Sequence, residues 1–115
     1  MIAELAKYFA DASPHGVIAA CLFGSHARGT THAGSDLDVA VLLDPRVMPT
    51  RALRSAEAER LTTALISAVH QNDVDVVILN DAPPELAVAA RDAGRPLYTA
   101  DGEALHAFTR SARLR

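Results

Sequence analysis

The chain has 115 residues, a formal net charge of −3 and a hydrophobic content of 50%. We therefore expect a single domain over residues 1–115, with enough apolar side chains for an ordinary core. The acidic balance argues against a broad nucleic-acid surface, which needs clustered Lys and Arg. No apolar run approaches the roughly 20 residues of a membrane span and the chain starts without the apolar stretch of a signal peptide, so the expected compartment is the cytoplasm.

Helical and strand periodicities alternate along the chain, and turn residues separate them. The predicted order is helix, strand, strand, helix, strand, helix, strand, helix. The segments are residues 2–12, Val17–Phe23, Asp36–Leu43, Arg51–His70, Asp73–Leu79, a helix opened by Asp81-Ala82-Pro83-Pro84-Glu85 and ended by Gly94, Arg95–Thr99, and a last helix that Asp101 caps. This order predicts an α+β or mixed α/β fold, with a small mixed sheet flanked by helices.

Local residue chemistry adds detail to these segments. Thr50 is the predicted N-cap of the longest helix, and Pro96 predicts that the last strand lies at a sheet edge. The single cysteine, Cys21, falls in an apolar strand and is expected to be an unreactive core thiol. The predicted buried stripe of the longest helix is Leu53, Leu61, Leu65, Ile66 and Val69, and that of the last helix is Leu105 and Phe108.

Two carboxylates stand at the start of the second strand. Because side chains alternate along a strand, Asp36 and Asp38 share one face, roughly 7 Å apart, and Ala40 and Leu42 continue that face. Like charges on one face repel each other, and a bound cation would relieve that repulsion. A lone aspartate at a strand end can also have a purely structural role, as a cap or a solvated turn residue. We interpret Asp73 in this way.

A third aspartate, Asp75, is flanked by valines in the third strand. A charge inside an apolar strand costs several kcal/mol unless it is paired or bound to metal. If this strand lies beside the second, Asp36, Asp38 and Asp75 converge on one or two cations. Two Mg²⁺ ions about 3.5–4 Å apart form the established geometry for phosphoryl and nucleotidyl transfer.

The loop from Gly24 to Gly34 precedes the carboxylates. Its first turn, Gly24-Ser25, can offer backbone N–H groups and a hydroxyl to an anion. The glycine spacing resembles a P-loop, but Thr30 stands where that motif requires lysine, so a Walker A motif is excluded. Arg28 either donates its forked guanidinium to phosphate or is a solvent-facing loop residue.

These residues resemble a known family. Gly24-Ser25, ten intervening residues and then Asp36-x-Asp38 resemble the signature of the DNA polymerase β-like nucleotidyltransferases. The fuller strings Phe23-Gly-Ser-His-Ala-Arg-Gly and Gly34-Ser-Asp-Leu-Asp-Val-Ala-Val-Leu resemble its minimal nucleotidyltransferase (MNT) branch, in which a strand of the Val-Asp-Val-Val type brings a third carboxylate that matches Asp75. The resemblance covers about residues 17–110.

The resemblance implies a polymerase β-like fold and an Mg²⁺-dependent transfer of AMP from ATP, with pyrophosphate leaving. It implies that two Mg²⁺ ions are held by Asp36, Asp38 and Asp75, and that the nucleotide is bound by Gly24 and Ser25, to which we add Arg28 and Ser35. MNT proteins of this size resemble antitoxins paired with HEPN-domain ribonuclease toxins, and some of them AMPylate a tyrosine of the toxin. A HEPN-type toxin is therefore the expected partner, with no direct contact to nucleic acid or membrane.

Two other classes of function remain open. The chain could neutralise its partner by binding alone, with the aspartates as a relic. Alternatively, it could transfer the nucleotide to a small molecule, as a homodimer that builds an acceptor pocket between its subunits. Nothing in composition or spacing favours ATP over other nucleotides.

Overall fold

The computed structural model describes residues 2–24, 37–70 and 73–115. Within these ranges the chain forms four α-helices, four β-strands and one 3₁₀ turn. They are α1 (Ile2–Ala12), β1 (Val17–Phe23), β2 (Leu37–Leu43), α2 (Arg51–Val69), β3 (Val74–Ile78), the 3₁₀ turn (Leu79–Asp81), α3 (Pro84–Ala93), β4 (Arg95–Thr99) and α4 (Gly102–Arg113). The predicted order and the mixed α+β class are confirmed. None of the described helices is long and apolar enough to cross a membrane.

The four strands form one mixed sheet in the order β3-β2-β1-β4. β1 is antiparallel to both β2 and β4, whereas β2 and β3 are parallel. Two parallel neighbours need a crossover connection, and α2 lies in that connection. β4 is an edge strand, as Pro96 predicted, and β3 forms the opposite edge.

Side chains of β2 divide between the two faces of the sheet as their alternation predicts. Leu37, Val39, Val41 and Leu43 belong to one core cluster, which α1 and α2 cover with Leu5, Phe9, Leu61 and Leu65. Ala40 and Leu42 belong to a second cluster, which α3 and α4 cover with Ala87, Ala90 and Ala112. We call the side under α3 and α4 the second face. Asp38 lies two residues before Ala40 and therefore belongs to the second face.

Helix ends follow the predicted cap chemistry. Thr50 accepts a hydrogen bond from the Leu53 amide at 3.1 Å, and Asp101 accepts one from the Ala104 amide at 3.0 Å. Leu105 and Phe108 face inward, because both pack against the second cluster.

The predicted burial of Leu53 is wrong, since that residue is 50% exposed. Polar contacts, not apolar ones, hold the first turn of α2. The Arg54 guanidinium donates two hydrogen bonds to the Asp81 carboxylate at 2.9 and 3.0 Å and a third to the Met48 carbonyl at 3.0 Å. The apolar stripe of α2 becomes fully buried only further along, at Leu61 and Leu65.

The ion pair between Arg54 and Asp81 should make stability depend on pH. Its side chains are only 14% and 17% exposed, and the guanidinium holds the pKa of Asp81 below the ordinary value of 3.8. A carboxyl with a lowered pKa stabilises the fold above its unfolded value and loses that contribution as the pH falls through its folded pKa. We expect Arg54→Gln to lower the thermal midpoint at neutral pH, and the difference from the wild type to shrink in acid. Thermal unfolding between about pH 3 and pH 7 checks this, and a pH-independent difference would contradict it.

Candidate active site

Asp38 and Asp75 lie opposite each other on two neighbouring strands. In the parallel pairing of β2 with β3, Leu37 is opposite Val74, Asp38 is opposite Asp75, and the pairing continues to Val41 and Ile78. Neighbouring strands are about 4.8 Å apart, and paired residues project from the same face. The prediction that the third strand lies beside the second is therefore confirmed, and both carboxylates stand at the same end of the second face.

The two carboxylates differ in exposure. Asp38 is half-buried, whereas Asp75 is exposed. The expectation that Asp75 carries a buried charge is wrong, because β3 is an edge strand and its start remains open to solvent. The accessible Asp75 carboxylate can therefore receive an incoming ligand or substrate.

The turn after β1 presses its backbone against Asp38. Phe23, the last residue of β1, is opposite Asp38 in the antiparallel pairing of β1 with β2. Gly24 follows with φ +78°, and a Cβ atom added to it would lie 2.5 Å from the Asp38 Oδ2 atom. Only glycine fits this conformation and this contact without strain. Gly24, Asp38 and Asp75 thus form one cluster at the end of the sheet where β1 ends and β2 and β3 begin.

Four of the predicted site residues lie outside the described part of the chain, namely Ser25, Arg28, Ser35 and Asp36. Their proposed roles stay predictions. Among the described residues, no group of three or more His, Cys, Asp and Glu side chains is arranged to hold a metal ion. The described donors are therefore the two carboxylates of Asp38 and Asp75.

The chemistry of these donors fits Mg²⁺ together with a nucleotide. Mg²⁺ prefers oxygen ligands, and it is commonly bound through one or two carboxylates plus substrate phosphates and water. The carboxylates of Asp38 and Asp75 supply such oxygens on neighbouring strands. The backbone at Gly24 lies beside them, where a phosphate bound to the same cation could approach closely.

Sequence reasoning missed one polar residue that is tied to this arrangement. The Asn80 side chain accepts a hydrogen bond from the Leu43 amide at 2.9 Å and donates one to the Leu43 carbonyl at 2.8 Å. Leu43 is the last residue of β2 and is fully buried, so both backbone groups need a partner. The available signal was an asparagine directly after an apolar strand, a position that is usually a simple turn residue.

Cys21 is the thiol of β1 and faces the second cluster. Its Sγ atom lies 3.7 Å from the Ala90 carbonyl, and burial raises its pKa to about 11. A thiol with this pKa has far less thiolate at pH 8 than an ordinary cysteine with a pKa of about 8.5, and the thiolate is the reactive form. We expect alkylation of the folded protein to be about a hundredfold slower than that of the urea-unfolded protein. Equal rates, measured by mass spectrometry, would contradict the prediction of an unreactive thiol.

Comparison with known proteins assigns this chain to a family. The family described as "Polymerase beta, Nucleotidyltransferase" matches residues 4–103. No curated protein is similar enough in sequence to count as a match.

Solved structures similar to this chain include toxin–antitoxin complexes. A toxin–antitoxin structure with AMP-PNP is 27% identical with a TM-score of 0.68, and the match covers 98% of this chain and 84% of that one. A mutant of the toxin–antitoxin pair MntA-HpeT is 25% identical with a TM-score of 0.69, over 99% and 85% of the two chains. A tri-AMPylated Shewanella oneidensis HEPN toxin in complex with MNT antitoxin is 21% identical with a TM-score of 0.63, over 99% and 85%, and shows the shared fold alone.

The family match spans most of the chain, and the similar structures have the fold that the Gly24-Ser25 and Asp36-x-Asp38 signature predicts. The resemblance to the MNT branch is confirmed by the same comparisons. The chain belongs to the polymerase β nucleotidyltransferase family.

Proposed function

We propose that this protein is an Mg²⁺-dependent nucleotidyltransferase that transfers AMP from ATP to a tyrosine of a HEPN-type toxin, and that it thereby acts as an antitoxin. The observation that carries the proposal is the pairing of Asp38 with Asp75 on neighbouring parallel strands, with the Gly24 backbone against Asp38. Within a nucleotidyltransferase family, this cluster offers carboxylates for a cation beside backbone room for a phosphate chain.

The residues of the cluster divide into cation ligands and phosphate-binding groups in this proposal. Asp38 and Asp75, together with Asp36, would hold the two Mg²⁺ ions. Bound Mg²⁺ would neutralise charge on the triphosphate and favour ionisation of the acceptor hydroxyl. Gly24 and Ser25 would bind the phosphates, with Arg28 and Ser35 beside them.

The transfer itself is a displacement at the α-phosphorus. The acceptor oxygen forms a bond to that phosphorus, the bond to the bridging oxygen of the β-phosphate breaks, and pyrophosphate leaves with the electron pair. The exposed Asp75 carboxylate is the described group best placed to accept a hydrogen bond from the incoming hydroxyl and to pass its proton to solvent. Asp38, half-buried against the glycine turn, stays on the nucleotide side of the site.

Similar structures support a nucleotide substrate and a protein partner. One was solved with AMP-PNP, and its neighbours are toxin–antitoxin complexes. The complex that contains a tri-AMPylated toxin supports modification of the partner, and its MNT fold is shared by this chain. These matches span at least 84% of the three chains described above.

Binding without catalysis is the second candidate, since the similar structures are themselves complexes of a toxin with an antitoxin. Transfer to a small molecule is the third. An incubation of the protein with the HEPN-type protein encoded beside it, Mg²⁺ and ATP labelled at the α-phosphate separates the three. Label on the partner, absent with EDTA, supports the proposal. A stable complex of the two proteins without label would favour neutralisation by binding alone. Label on a small molecule would show that the acceptor is that molecule and not the partner protein.

A further inference from the structure

The pairing of Asp38 with Asp75 depends on the register between β2 and β3. Among the residues that the structure describes, these strands share five residue pairs, and β2 is the one strand paired with β3. A shift of one residue would turn Asp75 to the other face, and a shift of two would move it about 6.6 Å along the strand. Either shift would separate the two carboxylates, so some feature must fix the register of this edge strand.

Asn80 occupies the position that can fix it. Asn80 lies five residues after Asp75, and Leu43 lies five residues after Asp38. Asn80 and Leu43 are therefore in the same register as Asp75 and Asp38. The hydrogen bonds between the Asn80 side chain and both backbone groups of Leu43 join the two strands in that register. β3 itself ends at Ile78, so the side-chain amide continues the ladder where the backbone has turned away. A slipped strand would leave the buried Leu43 amide and carbonyl without these bonds.

We propose that Asn80 is a positioning residue for the active site: its double hydrogen bond to Leu43 sets the strand register that holds Asp75 opposite Asp38. The positioning role of Asn80 rests on the proposed function in one respect, namely that Asp38 and Asp75 act together in catalysis. Asn80 does not touch the substrate in this account, because it lies in the 3₁₀ turn beyond the end of β3, and the extended strand from Asp75 to Ile78 alone spans about 10 Å.

The test compares Asn80→Asp with the wild type, using Mn²⁺ as the probe of the carboxylates. Asn80→Asp keeps the size of the side chain and an oxygen for the Leu43 amide, but it loses the N–H donor to the Leu43 carbonyl. We expect the Mn²⁺ dissociation constant, measured by calorimetry, to rise about tenfold, at the lower end of what the loss of direct support to a metal ligand costs, because Asn80 acts on the carboxylates through the strand register. The added negative charge cannot cause that weakening, because it would attract a cation, and at this distance salt screens it.

Matched variants distinguish positioning from a general loss of stability. Asp101→Ala removes the N-cap of α4, at the end of the sheet where β1 begins and away from Asp38 and Asp75, and should lower the thermal midpoint while leaving Mn²⁺ affinity within about twofold. In transfer assays Asn80→Asp should lower kcat about tenfold with an unchanged KM for ATP. Asn80→Ala, which removes both hydrogen bonds, should show larger effects. If Asn80→Ala does not fold, the comparison of Asn80→Asp with the wild type is sufficient for the test.

The outcomes are separable. Wild-type Mn²⁺ affinity in a folded Asn80→Asp variant would overturn the positioning role, whatever its thermal midpoint. A wild type that binds Mn²⁺ but transfers no nucleotide would refute the proposed function and leave the Mn²⁺ comparison valid. A wild type that does not bind Mn²⁺ at all would overturn both.

Discussion

Asp38→Asn is expected to lower kcat for AMP transfer by at least about a hundredfold, while the protein stays folded. The substitution keeps the shape of the side chain but removes the anionic oxygen that faces Asp75 across the strand pair. Losing one preorganised electrostatic partner of a transition state commonly costs a factor of about 10²–10³.

Asp73→Asn is the matched control for this change. Asp73 is an exposed aspartate directly before β3, and its backbone carbonyl accepts a hydrogen bond from the Leu37 amide, but its side chain has no part in the proposed site. We expect Asp73→Asn to retain activity within about twofold. Wild-type activity in Asp38→Asn, or in the double variant with Asp36→Asn, would refute the mechanism.

Gly24→Ala should have the second largest effect. The new methyl group would lie 2.5 Å from the Asp38 Oδ2 atom, and alanine would have to adopt φ +78°. Left-handed backbone costs a residue with a side chain about 1–2 kcal/mol, so we expect a loss of unfolding free energy of that size. Displacement of the Asp38 carboxylate should also lower kcat at least about tenfold, because small misplacements of reacting groups are costly.

Gly102→Ala controls for the glycine substitution itself. A Cβ atom there would meet only the Thr99 Cγ2 atom at 4.0 Å, with no positive φ to maintain. This change should leave kcat unaltered and leave stability unchanged or slightly higher. Urea unfolding and steady-state kinetics on both variants provide the comparison. A Gly24→Ala variant with wild-type kcat would show that the close contact with Asp38 has no catalytic role.

The parts of the fold set by local chemistry could be predicted from the sequence. Period-two alternation placed Asp38 on the face of Ala40 and Leu42, because a strand offers its side chains no other arrangement. Thr50 and Asp101 were identified as caps because their oxygens satisfy the first free amides of a helix.

The parts that depend on non-local pairing could not be predicted in the same way. The valines around Asp75 indicated a buried strand, and only the strand order shows that β3 lies at an edge and leaves the carboxylate exposed. Leu53 fits the helical period, yet it lies in a turn that the Arg54 and Asp81 ion pair holds at the surface. The bond from Asn80 to Leu43 joins residues 37 positions apart, and no local pattern reveals such a contact.

The family signature predicted part of this non-local arrangement. Gly24 and Asp38 are separated along the chain by a loop, and their contact follows from the pairing of β1 with β2. The resemblance implied that these residues and Asp75 act together, and the described strands bring all three to one end of the sheet. The roles of Ser25, Arg28, Ser35 and Asp36 stay predictions.

The intact mass of the HEPN-type partner is the most direct test of the central claim. The partner is incubated with ATP, Mg²⁺ and either the wild-type protein or Asp38→Asn, and its mass is then measured. We predict that the wild type adds one or more AMP units to the partner and that Asp38→Asn adds none. An unchanged partner mass with the wild type, or the same gain with Asp38→Asn, would contradict nucleotidyl transfer by this site.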